Sequence, residues 1–178
     1  GRHPGDIGRT WPDAVPGRIS TCQLDIDAAD FAARLMATHA DAVVHTAGPF
    51  QGQDYAVART CLRAGMHYID LADGRAFVRD FPAALDAIAQ QARCVAISGA
   101  STLPALSSAV IDALLPRFSA LHSISMLIAP AQGTPLGLAT VGAALSYCGT
   151  PFAWWRGGRV PARLERGLQG HVTVVAGL

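Results

Sequence analysis

The sequence predicts a doubly wound α/β domain built on a parallel sheet, followed by the start of a second, α+β domain. Three observations carry that expectation. From about Arg18 onward, short apolar runs alternate with amphipathic stretches of helical period. The links between them are short, as right-handed crossovers between parallel strands require. Several apolar runs, such as Ala42-Val43-Val44, are apolar at consecutive positions, which suits strands covered on both faces.

The elements follow in order. Ile19–Ile26 reads as a strand ending near Asp25 and Asp27. Ala28–His39 reads as a helix with Phe31, Leu35 and Met36 on one face. The run Asp41–Gly48 is a strand that Gly48-Pro49 must end, and Asp54–Ala64 is a helix with Gly65 beyond it. His67–Ala72 is a third strand. Arg75–Ala92 is a long helix with Pro82 as a kink or restart, and Arg93–Gly99 is a fourth strand. Pro104 is placed to begin a helix over Pro104–Leu115. After Phe118 the pattern changes. Leu121–Ala131 alternates as a half-exposed strand, Leu138–Cys148 reads as a buried helix, and Phe152–Val160 as two short strands around Gly157-Gly158. The division predicted is therefore residues 1–118 for the α/β part and 119–178 for the beginning of the second domain.

Composition excludes several functions. Hydrophobic residues make up 51% and charged residues 15% of the 178 residues, enough for a sizeable core. The net charge of +1 carries no basic block, so no nucleic-acid partner is expected; no apolar run reaches the roughly 18 residues of a membrane span. All 14 basic residues are Arg. Without Lys there is no P-loop lysine, no pyridoxal Schiff base and no Tyr-x-x-x-Lys pair. Cys22, Cys61, Cys94 and Cys148 lie far apart, and no H-x-x-x-H pair occurs, so neither a metal nor a disulfide framework is expected. Reduced, mostly buried thiols point to a cytoplasmic protein.

In doubly wound sheets the ligand lies at the carboxyl ends of the strands. Here those ends are Asp25-Ile26-Asp27, Thr46-Ala47-Gly48-Pro49-Phe50, Asp70-Leu71-Ala72-Asp73 and Ser98-Gly99-Ala100-Ser101. Gly48 and Gly99 leave room for a ligand to approach the backbone, although glycine at a strand end also serves ordinary turns.

The runs VVHTAGPFQGQDYAVARTCLRAGMHYIDLADG and ISGASTLPALSSAVID resemble the saccharopine dehydrogenase-like family of NAD(P)-dependent oxidoreductases. The resemblance lies in an ordered series: Ala47-Gly48-Pro49-Phe50, Cys61 with Ala64-Gly65, His67-Tyr68-Ile69-Asp70, then Gly99 and Pro104. It covers residues 18 to 118 and implies a Rossmann-like domain binding NADP or NAD, with a small-molecule substrate. It implies that Asp25 or Asp27 flanks the adenine and that Thr46, Ala47, Gly48 and Pro49 line the cofactor. Gly99 would lie near the nicotinamide, and Tyr68 and Asp70 near the catalytic cleft as catalytic residues, Asp70 orienting a substrate amine or a water. Arg2 would stand at the end of the strand before Ile19, where a guanidinium suits a 2′-phosphate and hence NADP. Where relatives carry Gly-Glu after the aspartate, this chain has Ala72-Asp73-Gly74-Arg75, which argues against an amino-acid substrate such as saccharopine.

None of the 18 glycines forms a G-x-G pair, so the glycine turn that holds a pyrophosphate is not in this sequence. Against the family pattern, the chain reads as a fragment without the first βα unit, inactive by itself. The alternative is a non-catalytic Rossmann-like remnant or binding module. Val43–Gly48 also resembles the fourth strand of extended short-chain dehydrogenases or epimerases, but those need the Lys that is absent. A missing first strand would leave a sheet edge and apolar surface open. The chain is therefore expected to be marginally stable or to self-associate; a monodisperse monomer with a sharp thermal transition contradicts this.

Overall fold

The computed structural model describes residues 18–120, 124, 138–146, 152–155 and 159–162, the last two segments through their backbone alone. The described elements are α1 (Phe31–Met36), β1 (Ala42–His45), α2 (Ala56–Arg63), β2 (His67–Asp70), α3 (Arg75–Ala92), β3 (Ala96–Ile97), α4 (Ser107–Leu114), α5 (Leu138–Leu145), β4 (Phe152–Trp155) and β5 (Arg159–Ala162). The sheet order is β1-β2-β3. The His67 amide donates to the Asp41 carbonyl and the Leu71 amide to that of His45, so the pairing advances in the same direction along both strands. That is a parallel ladder with helical crossovers, the α/β Rossmann-like class expected from the sequence.

Contacts divide the chain into two units. One holds residues through Val43, Tyr55–Tyr68 and Leu85–Ala96, and thus the starts of the strands. Its core is Phe31, Leu35, Val57, Ala58, Cys61, Leu62, Met66, Tyr68, Leu85 and Ala89. In α2 the buried positions Val57, Ala58, Cys61 and Leu62 recur at helical spacing, so one stripe of this helix is sealed. The other unit holds Val44–Asp54, Ile69–Ala84 and the residues from Ile97 on, and thus the carboxyl ends of the strands. Its core is built on an aromatic run. His45 meets Phe50 edge-on at 5.1 Å, Phe50 meets Phe77 at 5.5 Å, and Phe77 meets Phe81 at 6.1 Å.

Several boundaries differ from the sequence-based expectations, for identifiable reasons. Ile19–Ile26 forms no strand. Ile19 is 47% exposed, and apolar composition alone supplies neither a ladder partner nor a covering layer. The first helix is limited to Phe31–Met36, and His39 beyond it has positive φ (50°), outside helical geometry. The long helix runs uninterrupted from Arg75 to Ala92 through Pro82. The helix expected from Pro104 is present with a π-helical first turn: the residue before a proline is pushed towards extended backbone, Leu103 has φ −123° and ψ 121°, and the helical backbone after it passes from the Thr102–Leu106 turn into regular α-helix at Ser107.

The sheet is also not covered on both faces. Along β1 the burial alternates and ends at buried His45, while Val44 is 58% exposed; Val95 and Ile97 are likewise exposed. Consecutive apolar residues make burial on both faces tolerable without providing the second layer. Beyond residue 120, β4 and β5 form an antiparallel hairpin with Trp155 opposite Arg159, as expected around Gly157-Gly158. The turn itself, nearly all of the run Leu121–Ala131, and Cys148 lie outside the described residues.

The described thiols are free: Cys61 is buried, Cys94 half-buried and Cys22 exposed, the last against the expectation of burial. Burial pushes the Cys61 thiol up to about 11 from its ordinary 9.0. Its neutral form is thus favoured in the folded protein, and this contribution to stability is complete below pH 9. It is lost as pH rises through about 11, at up to about 1.4 kcal/mol per pH unit. Urea unfolding between pH 8 and 11 should show this loss, and Cys61→Ala should lack that component of the slope.

Candidate functional site

Within the second unit, the ends of β2 and β3 are joined by one side chain. Asp70 closes β2 and is fully buried. Its Oδ1 accepts hydrogen bonds from the Gly99 amide at 2.8 Å, the Ser98 hydroxyl at 2.9 Å and the Ala72 amide at 3.0 Å. The Asp70 carbonyl takes the Ala100 amide at 2.8 Å. Donors from the end of β2 and from the end of β3 therefore converge on a single residue. Its Oδ2 is buried with no hydrogen-bond partner among the described residues. From the end of β1, His45 lies within electrostatic reach. Burial lowers the His45 imidazole below its ordinary value of 6.5, opposed by the Asp70 charge and by a backbone hydrogen bond at Ala47.

The segment after β1 turns sharply. The Gly48 amide donates to the Thr46 carbonyl at 3.1 Å, and the Gly48–Pro49 peptide is cis. Thr46, Ala47, Gly48 and Pro49 are exposed, whereas Phe50 returns to the core. Gln53 staples the loop from behind, its Nε2 donating to the Ala47 carbonyl at 2.9 Å and the Pro49 carbonyl at 2.8 Å. Gln51 Nε2 donates to Asp73 at 3.1 Å, linking this loop to the one after β2. Gly74 packs beside this loop: a Cβ there would lie in ordinary contact, 3.4 Å from Phe77 and 3.5 Å from the Gln51 amide. After β3, Gly99 has φ +75° and is buried, a conformation that glycine adopts without strain.

Thr46, Ala47, Gly48, Pro49, Tyr68, Asp70 and Gly99 were expected at the site, and the structure puts all of them along the strand ends except Tyr68. Tyr68 belongs to the unit of strand starts and is 1% exposed. Asp25 and Asp27 also belong to that first unit. The Asp27 amide donates to Asp25 Oδ1 at 3.2 Å and the Ala28 amide to the Asp25 carbonyl, which makes a local turn. Arg2 lies outside the described residues. The sequence reading missed Gln51 and Gln53 and gave Ser98 no role. The only signal was two polar residues, Gln51 and Gln53, flanking a glycine after the Gly-Pro turn.

An open cavity of about 490 Å³ lies elsewhere, in the first unit, lined by Met36, His39, Asp41, Gly65, Met66 and His67. These residues stand at the amino ends of β1 and β2. Doubly wound sheets place ligands at the opposite ends, so the strand-end loops are the better candidate despite their openness. Among the described residues no cluster of His, Cys, Asp and Glu suits a metal ion, and no helix is long and apolar enough to cross a membrane.

A parallel sheet with helical crossovers, with the exposed residues Thr46–Pro49 at the carboxyl end of β1, defines an α/β domain of the Rossmann-like class. Residues 9–97 match the family model of the saccharopine dehydrogenase NADP binding domain, which is half of the chain, and the chain belongs to that family. No match was found among curated proteins or among solved structures.

The Gln53 staple has a direct test. Gln53→Ala removes two hydrogen bonds from a half-exposed side chain. It should lower stability by about 1 kcal/mol and raise amide exchange at Gly48 without altering Phe77. Unchanged exchange at Gly48 would mean that the turn holds itself.

Proposed function

We propose that this chain is the strand-end half of an NADP site in an oxidoreductase of small-molecule substrates. The observation that carries the reading is the match of residues 9–97 to an NADP binding domain. The strand-end geometry supports it. Thr46–Pro49 offer exposed backbone, Gly48 carries no side chain, and the Gly99 turn supplies a second wall. These residues fit the nucleoside and nicotinamide portions of the dinucleotide. No G-x-G is present to cradle the pyrophosphate.

In this reading Thr46, Ala47, Gly48 and Pro49 hold the cofactor between adenosine and nicotinamide, and Asp25 or Asp27 serves the adenine side. Arg2 serves the 2′-phosphate that separates NADP from NAD. When bound, the cofactor supplies hydride transfer. The protein's part is to fix its position and keep water away from one face. Residues 119–178 belong to a substrate or dimerisation domain. The free described thiols support a reducing compartment such as the cytoplasm.

Titration of isotope-labelled protein with NADP⁺, followed by amide chemical shifts, tests the reading. The expected result is saturable but weak binding, above the micromolar range, with shifts concentrated at Thr46–Phe50 and Ser98–Ser101. Arg2→Ala should weaken NADP⁺ and leave NAD⁺ unchanged. Absence of shifts at millimolar NADP⁺, or shifts confined to the cavity around His39 and His67, would overturn it.

A further inference from the structure

We infer that Asp70 is a positioning residue: through Oδ1 it holds the Gly99 turn in shape for the ligand, and it does not itself meet substrate. The inference rests on the strand-end reading of the site, but its first test needs no ligand.

A carboxylate that orients a substrate needs open lone pairs and a path to solvent. Asp70 has no path, because it is fully buried. Oδ1 is already taken by three donors at 2.8, 2.9 and 3.0 Å, and Oδ2, whose lone pairs have no partner among the described residues, is sealed from solvent with it. Two of these, with the Ala100 amide on the Asp70 carbonyl, belong to consecutive residues of a single turn: Ser98, Gly99 and Ala100. Three hydrogen bonds of 2.8 to 3.0 Å converge on one buried acceptor atom from different residues, so the clamp is stiff. What it stiffens is a residue with left-handed backbone, Gly99 at φ +75°, whose carbonyl then accepts the Ser101 amide at 2.7 Å. One acceptor atom thus organises a turn that would otherwise have glycine's full freedom. The third donor, the Ala72 amide, ties the same atom to the loop after β2. If the turn meets the nicotinamide end of the cofactor, Asp70 acts on the cofactor through Gly99.

Amide hydrogen exchange on wild type, Asp70→Asn and Asp70→Ala decides the matter. Asp70→Ala should lower protection at Gly99 and Ala72 at least about tenfold, while the amides of Met66 and Tyr68, bonded to Cys61 and Val95, keep theirs. A merely structural loss would lower all four together. Asp70→Asn keeps an acceptor at Oδ1 and should restore most of the protection. Preserved protection in Asp70→Ala, or an Asn variant no better than Ala, would overturn the inference. Should Asp70→Ala fail to fold, wild-type protein still answers. Scalar couplings across the hydrogen bonds from the Gly99 and Ala72 amides to the Asp70 carboxyl carbon are expected, and their absence contradicts the clamp. With NADP⁺, Asp70→Ala should lose the shifts at Ser98–Ser101 and keep those at Thr46–Phe50. No NADP⁺ shifts in wild type would defeat the proposed function while leaving the exchange result to decide the role of Asp70.

Discussion

The carboxylate of Asp70 is the constraint on which the strand-end architecture depends. A parallel strand pair ends with backbone donors that the ladder no longer satisfies, and loops leaving such ends must find acceptors or face water. Here the acceptor comes from the last residue of the middle strand. It is buried and bonded to three donors, so the loops after β2 and β3 share one anchor. Burying a carboxyl group is costly unless its lone pairs are used, and the convergence on Oδ1 offsets that cost at one oxygen while Oδ2 is left without a partner among the described residues.

Around that anchor the remaining contacts take defined places. His45 ends β1, and its burial favours the neutral ring even beside the negative charge of Asp70. The aromatic run from His45 to Phe81 fills the space behind the loops, and Gly74 packs beside Gln51 in the loop after β1. The result is a rigid floor with exposed main chain above it at Thr46–Pro49. In the proposed site, such a surface would meet its ligand by backbone approach rather than by an array of charged side chains. This agrees with a family defined by nucleotide binding and with the lack of lysine in the chain.

Much of this was legible in the sequence. The alternation of short apolar runs with helical period placed β1, α2, β2 and α3 within a few residues, because each has a strong pattern bounded by glycine or proline. The ordered residues from Ala47 to Pro104 indicated the family that the match over residues 9–97 shows. Ile19–Ile26 was misread because a strand depends on a neighbour that composition does not reveal. Pro104 was legible as a helix start, because a proline forces the residue before it, Leu103, to be extended and leaves the helical backbone to follow. The role of Asp70 was invisible for another reason. Its partners at Ser98 and Gly99 are 28 and 29 residues away, and only the parallel fold brings them to one oxygen. Gln53 escaped notice because a glutamine that bonds carbonyls of its own loop leaves no periodic trace.

A crystal structure of the protein with NADP⁺ tests the central claim most directly. The account predicts electron density for the nucleotide along the exposed backbone of Thr46–Pro49 and against the Gly99 turn, with the Asp70 carboxylate beneath it and out of contact. Density instead in the cavity at the amino ends of the strands, between His39 and His67, would contradict it.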